Sequence, residues 1–134
     1  MKIEVSNGEI LDKLSILEIK MDNITDELKL NNVKKEHSVL KETLGDPPWA
    51  AHVFREYGFY EQLKEINEQL WVIEDNIRVK EKNQEFDSGF ISLARSVYET
   101  NDKRAEMKKE INIYTKSSLI EEKSYEDYSQ KCVI

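Results

Sequence analysis

The chain has 134 residues, of which 39% are hydrophobic and 35% charged, and its 4 glycines and 2 prolines are too few for a turn-rich all-β fold. A length of this order favours one domain, residues 1–134, with one modest core. The net charge of −7 disfavours nucleic-acid binding, because an acidic surface repels the phosphate backbone.

The compartment is indicated by what the sequence lacks. Residues 1–5 contain no apolar run of the kind that a signal peptide needs, and no stretch of the chain is apolar enough to span a membrane. The single cysteine, Cys132, cannot form an internal disulfide or a cysteine-based zinc site. These features predict a cytoplasmic protein that acts away from the membrane.

The first helix is predicted over residues 7–24. Residues 2–5 alternate in polarity and indicate a short extended lead, about one strand's worth. Ser6 followed by Glu9 forms the pattern of a capping box, which starts a helix. Apolar residues lie on several sides of this helix, so several sides should be buried: Ile10, Leu11, Leu14, Ile16, Leu17, Ile19, Met21 and Ile24.

A second helix follows a break at Thr25 and Asp26. Its apolar positions recur at helical spacing as far as Leu44, and Gly45 is placed to terminate it. The Asp-Pro-Pro-Trp sequence at 46–49 then predicts a loop, since two successive prolines exclude a continuing helix.

Two long helices are predicted in the second half of the chain. Residues 50–57 are expected to add a helical turn before Gly58, and the next helix spans 59–84. A short turn leads into the last helix, 89–116, so the two helices should be antiparallel neighbours. The fold class is therefore all-α: an antiparallel bundle of about four helices with a long C-terminal helical hairpin. The polar tail, 117–134, is expected to be extended and either docked or loose.

A carboxylate pattern on the two long helices is the most evident candidate for a metal site. Glu65, Glu68, Glu99 and Asp102 occupy comparable levels of the hairpin, as the magnesium ligands do in all-helical nucleotide pyrophosphohydrolases. However, helical geometry points all four away from the apolar stripes of their helices. We therefore interpret them as solvated side chains and predict neither a metal nor a cofactor.

A polar cluster facing the bundle interior is the second candidate. On the helical wheel Arg104 falls in the apolar stripe of the last helix, and a charge at such a position must be paired. The cluster is made up of Glu18, His37, Glu74, Asn101, Arg104 and Lys108. The first interpretation is a structural ion pair from Arg104 to Glu18 or Glu74. The alternative is a small anion pocket in which Arg104 and Lys108 bind a carboxylate or phosphate.

Three segments resemble a family of small uncharacterised bacterial and phage proteins known as a domain of unknown function. They are residues 5–20 (VSNGEILDKLSILEIK), 93–104 (LARSVYETNDKR) and 121–125 (EEKSY). The resemblance covers most of the chain except the loop near 45–58 and implies no activity. Inward Arg and Lys on long helices are also similar, in general pattern only, to the all-helical chorismate mutases, and no site residue is transferred from that group.

The function predicted from these features is that of a helical interaction or structural protein. Nothing in the sequence has the pattern of a nucleophile elbow, a phosphate-binding loop or a Cys–His pair, so an enzyme is the less favoured interpretation. Apolar residues on several sides of the first helix, with Trp71 and Val72 beside the stripe of the third, predict a homodimer. The alternative is a small-anion-binding protein or enzyme with its site around Arg104.

Overall fold

The computed structural model describes residues 1–128, and these form an all-helical arrangement without a strand. The α-helices are α1 (Asn7–Asn23), α2 (Glu27–Leu44), α3 (Phe59–Lys82) and α4 (Ser88–Tyr114), with a π-helical turn at His52–Glu56. The predicted all-α class and all four helices are confirmed. In this part of the chain no helix is long and apolar enough to cross a membrane.

Short polar side chains and glycines fix the helix ends. Ser6 and Asp26 accept hydrogen bonds from backbone amides in the first turns of α1 and α2, and Asp87 does the same for α4. Gly45 and Gly58 adopt positive φ angles of 61° and 65°, which end α2 and precede α3. The predicted helix limits are accordingly correct to within two residues.

Helix α1 is the centre of the fold. It packs against α2 on one side and crosses the antiparallel α3–α4 hairpin on the other. Leu11 of α1 meets Leu63 of α3, Ile111 of α4 and Val53 of the π-helical turn in a fully buried core. Because one helix contacts three others, its apolar residues are distributed around its circumference, as the sequence indicated.

The segments before α1 and after α4 were predicted to be non-helical. Residues 2–5 precede α1 as a non-helical segment, as predicted, and they do not pair in a strand. The tail is docked over residues 117–128: Ser117 Oγ accepts from the Asn7 amide at 3.0 Å, and Tyr128 donates to Asp102 at 2.6 Å. The remainder of the predicted tail, including Cys132, lies outside the described residues.

Candidate functional site

A buried carboxylate lies where α1 crosses the hairpin. Asp12 of α1 is only 1% exposed, and Arg104 of α4 reaches it with two N–H groups. Arg104 Nε donates to Asp12 Oδ1 at 2.9 Å, and Nη2 donates to Oδ2. Bidentate geometry of this kind compensates much of the desolvation of both charges. The hydrogen bond to Asp12 raises the pKa of Arg104 above its ordinary value.

Two further side chains complete this polar centre. Asn67 of α3 donates to Asp12 Oδ1 at 2.9 Å and to Ser15 Oγ at 2.8 Å. Ser15 in turn donates to the Asp12 backbone carbonyl at 2.8 Å. All three residues are buried, so α1, α3 and α4 are joined by one connected set of hydrogen bonds. A connected set fixes the orientation of the Arg104 guanidinium.

A cleft of about 450 Å³ opens beside this centre, between α1 and the hairpin. Its apolar wall is Ile16, Leu70 and Trp71. The polar groups that line it come from α3 and α4: Asn67, Glu74, Asp75, Arg78, Asn101 and Arg104. The volume lies within the range of small-molecule sites, and the mixture of apolar wall and a few polar groups is typical of them.

Lys108 belongs to a different cluster, at the start of α1. Its ammonium lies 2.6 Å from Glu9 and 3.6 Å from Glu121, which is part of the docked tail. Nearby, Asn112 accepts a hydrogen bond from the Gly8 amide at 2.7 Å, and Ser6 donates to Glu121 at 2.8 Å. Lys108 therefore joins α4 to α1 and the tail, and it does not line the cleft.

Glu18 and His37 form a third cluster, between α1, α2 and α3. Glu18 pairs with Lys64 at 3.2 Å and lies 4.0 Å from His37 Nε2, beyond hydrogen-bonding distance. Tyr60 lies beside them, and burial raises the pKa of its hydroxyl, with a further contribution from Glu18. His37 Nε2 and the Tyr60 hydroxyl are both buried without a hydrogen-bond partner within residues 1–128.

The six predicted site residues are thus distributed over three places. Only Glu74, Asn101 and Arg104 share the cleft. The expectation that Arg104 is paired within the chain is confirmed, but the predicted acceptors, Glu18 and Glu74, are wrong because Asp12 occupies that position. Glu18 pairs instead with Lys64, and Glu74 with Arg78 at 3.3 Å.

Sequence reasoning missed Asp12, Ser15 and Asn67. The signal for two of them was present, because a helix that is buried on several sides must bury its polar residues as well. Asp12 and Ser15 lie three residues apart on one face of α1 and point to the same crossing. For Asn67, its place in the apolar register of α3, four residues after Leu63, was the corresponding indication.

The carboxylates first considered for a metal lie apart from this centre. Glu65, Glu68 and Glu99 are exposed, and Asp102 accepts the Tyr128 hydrogen bond. Within residues 1–128 no three His, Cys, Asp or Glu side chains converge as metal ligands would. The exposure of the three glutamates agrees with their interpretation as solvated side chains, whereas Asp102 is partly covered and helps to dock the tail.

The fold and the buried centre define an all-helical protein in which an Asp–Arg pair joins a central helix to a helical hairpin. The chain belongs to a family of unknown function (DUF6165), which it matches over residues 1–131. The span of the match includes residues 45–58, over which the sequence segments quoted above show no resemblance. No curated protein matches the chain, and no solved structure does. A bacterial or phage source stays a prediction of the resemblance.

Proposed function

We propose that this protein is a helical interaction protein that self-associates as a homodimer through the outer half of the α3–α4 hairpin. This half, residues 71–99, is called the distal arm below. The observation that carries the proposal is that none of its side chains is buried, although it holds many apolar residues. The buried positions of α3 end at Leu70, and those of α4 begin at Thr100.

Large apolar side chains are exposed on the distal arm. Val72 is 55% exposed and Ile91 57%, and Val79, Phe86 and Tyr98 are exposed to a comparable degree. The contact between the two helices of an isolated pair adds little stability by itself, because most helical stability comes from packing against the rest of a fold. Covering these side chains would therefore stabilise the arm, and exposed apolar groups collected in one region are typical of interfaces.

A second copy of the chain is the partner that these surfaces favour. A hollow of about 520 Å³ on α3 surrounds Val72 and is rimmed by Glu65 and Glu68. A smaller hollow on α4 surrounds Ile91 and is lined by Arg95 and, at its other end, Glu99. Placing the first hollow against the second on the partner copy, with Arg95 toward Glu65 and Glu68, brings opposite charges together. Two-fold symmetry repeats this contact, which closes the pair as a dimer.

The cytoplasmic setting is part of this proposal. It rests on the sequence alone, which has one cysteine and therefore no internal disulfide.

Sedimentation equilibrium at micromolar concentration tests the dimer. The wild type should have twice the 15.8 kDa mass of the chain, and Ile91→Glu should shift it toward the monomer. Leu28→Glu is the matched control, because Leu28 is 78% exposed but lies on α2, away from the distal arm. A monomeric wild type would contradict the proposal.

A charge exchange tests the orientation of the two copies. Arg95→Glu alone should weaken the dimer, because it places a carboxylate against Glu65 and Glu68 of the partner copy. Adding Glu68→Lys to the same chain should restore association by reversing the pair. If the double variant is as weak as Arg95→Glu, the copies meet in another orientation.

A further inference from the structure

The cleft beside Arg104 has a charge distribution that a simple anion does not fit. Two guanidinium groups, Arg78 and Arg104, line it together with two carboxylates, Glu74 and Asp75. Asp12 lies directly against Arg104 and adds a third carboxylate. With no surplus of positive charge, the cleft repels a free phosphate or carboxylate more than it attracts one. The original interpretation as an anion pocket also relied on Lys108, which faces Glu9 instead.

Arg104 can nevertheless bind the carboxylate group of a ligand. Asp12 engages the Nε and Nη2 side of the guanidinium, and an arginine side chain carries more N–H donors than one carboxylate can use. The side chain is 30% exposed and lines the cleft. Because Asp12 and Asn67 hold it in place, binding a second acceptor there requires little further ordering.

The other walls specify the rest of the ligand. Asp75 is exposed at the cleft and Glu74 is half-exposed, so both can accept hydrogen bonds from an ammonium group. Ile16, Leu70 and Trp71 offer an apolar wall, where a hydrocarbon or aromatic group loses its contact with water. Asn101 adds an amide that can donate or accept.

We propose that this cleft binds a small zwitterion of the α-amino-acid class that carries an apolar side chain. Arg104 and Asn101 receive the carboxylate, Glu74 and Asp75 receive the ammonium group, and the apolar wall receives the side chain. A zwitterion adds no net charge to a cleft in which two guanidinium groups and three carboxylates already lie close together. The cleft is formed within one chain, and its lining residues differ from those of the two hollows proposed for self-association, although part of it belongs to the distal arm.

Isothermal titration with three probes of one carbon skeleton tests the class of ligand. L-leucine is the zwitterion, 4-methylpentanoate lacks its ammonium group, and 3-methylbutylamine lacks its carboxylate. L-leucine should bind, and each truncated probe should bind at least about tenfold more weakly, because each loses a charged hydrogen bond. L-phenylalanine, as a second zwitterion, should bind as well.

Variants locate the site without disturbing the buried pair. The double variant Glu74→Gln with Asp75→Asn should abolish the preference for L-leucine over 4-methylpentanoate. Glu61→Gln is the matched control, since it removes a carboxylate from an exposed part of α3 outside the cleft, and it should leave the preference unchanged.

Three outcomes would overturn the proposal. The first is the absence of heat from either amino acid at about 10 mM. A dissociation constant above that concentration would be too weak for a specific site of this size. The second is equal binding of 4-methylpentanoate and L-leucine, which would make the cleft an anion site. The third is a preference that survives the Glu74 and Asp75 changes, which would place the zwitterion elsewhere on the protein.

Discussion

Asp12 and Arg104 are separated by 92 residues in sequence and form a bidentate ion pair at the crossing of α1 and α4. The two partners are unequally buried, since Asp12 has almost no exposed surface whereas Arg104 reaches the cleft. Removing the arginine would leave a buried carboxylate without its charged partner. The hydrogen bond that Asn67 donates to it would remain. The arginine is therefore the more critical partner for stability.

Arg104→Ala should lower the free energy of unfolding by about 3–5 kcal/mol, the usual cost of leaving a buried charge without its partner. Arg104→Met should lose less, because it keeps an apolar stem of similar length, although Asp12 is again unpaired. Urea denaturation followed by circular dichroism measures both. An unchanged transition midpoint for Arg104→Ala would show that the pair does not stabilise the fold.

Alkaline pH should destabilise the protein through Tyr60. Burial raises the pKa of its hydroxyl in the folded state, whereas in the unfolded chain it ionises near pH 10. The stabilising effect is fully present below that unfolded value. It is lost as the pH rises further, because only the unfolded state then releases the proton.

Urea midpoints between pH 8 and 11, for the wild type and Tyr60→Phe, test this dependence on pH. The variant should show a shallower decline above about pH 10. It should be no less stable at neutral pH, since the hydroxyl has no hydrogen-bond partner within residues 1–128. If the urea midpoints of the two proteins decline in parallel above about pH 10, groups other than Tyr60 cause the loss of stability.

The docking of the tail should depend on Glu121. Its carboxylate accepts from Ser6 and lies near Lys108, so Glu121→Ala removes contacts with both α1 and α4. Limited proteolysis should then cut faster within residues 117–128, while global stability falls by less than about 1 kcal/mol, as for other exposed ion pairs. Glu126→Ala is the control, because this exposed carboxylate makes neither contact. Equal cleavage rates in the two variants would contradict this role.

Local signals predicted the helices well, and long-range contacts explain what they missed. Ser6, Asp26, Asp87 and Gly45 mark helix ends through bonds to residues a few positions away, so their effect is readable from the sequence. The acceptor for Arg104 depends instead on where α1 crosses the hairpin. Helical periodicity fixes which face is apolar, but it does not fix the crossing point of two helices.

The residues that line the cleft could likewise be predicted only in part, because helical faces are readable from the sequence and long-range contacts are not. Glu74 and Asn101 were identified from their helical faces, and both do line it with Arg104. His37 and Lys108 were grouped with them because a helical wheel shows direction around the axis and omits distance along it. Lys108 lies one turn of α4 beyond Arg104, which is enough to place it against Glu9.

Gly8→Ala should destabilise the protein, because the backbone of α4 packs directly against Gly8 of α1. A Cβ atom at this position would lie 2.6 Å from the Lys108 carbonyl oxygen and 2.9 Å from Asn112 Oδ1. The first of these is a backbone atom, so the contact is relieved only by moving the two helices apart. That movement also stretches the 2.7 Å hydrogen bond from the Gly8 amide to Asn112.

Two opposing effects decide the size of the change. Alanine favours a helix over glycine by about 1 kcal/mol in a helix interior, and by less near the N-terminus. Forcing an extra methyl into a packed contact costs about 1–3 kcal/mol. Because the clash involves a helix backbone, the steric cost should dominate, and the net loss should be on the order of 1–2 kcal/mol.

Gly89→Ala provides the matched control for this prediction. Gly89 is the second residue of α4, as Gly8 is the second residue of α1, so the change in helix propensity is the same. The atoms nearest to its added Cβ are the ends of the Lys80 and Asp87 side chains, at 3.3 Å, and these need to shift by only a few tenths of an ångström. Thermal denaturation should therefore show a lower midpoint for Gly8→Ala and an equal or higher one for Gly89→Ala. Equal effects in the two variants would mean that α1 and α4 do not approach each other at Gly8.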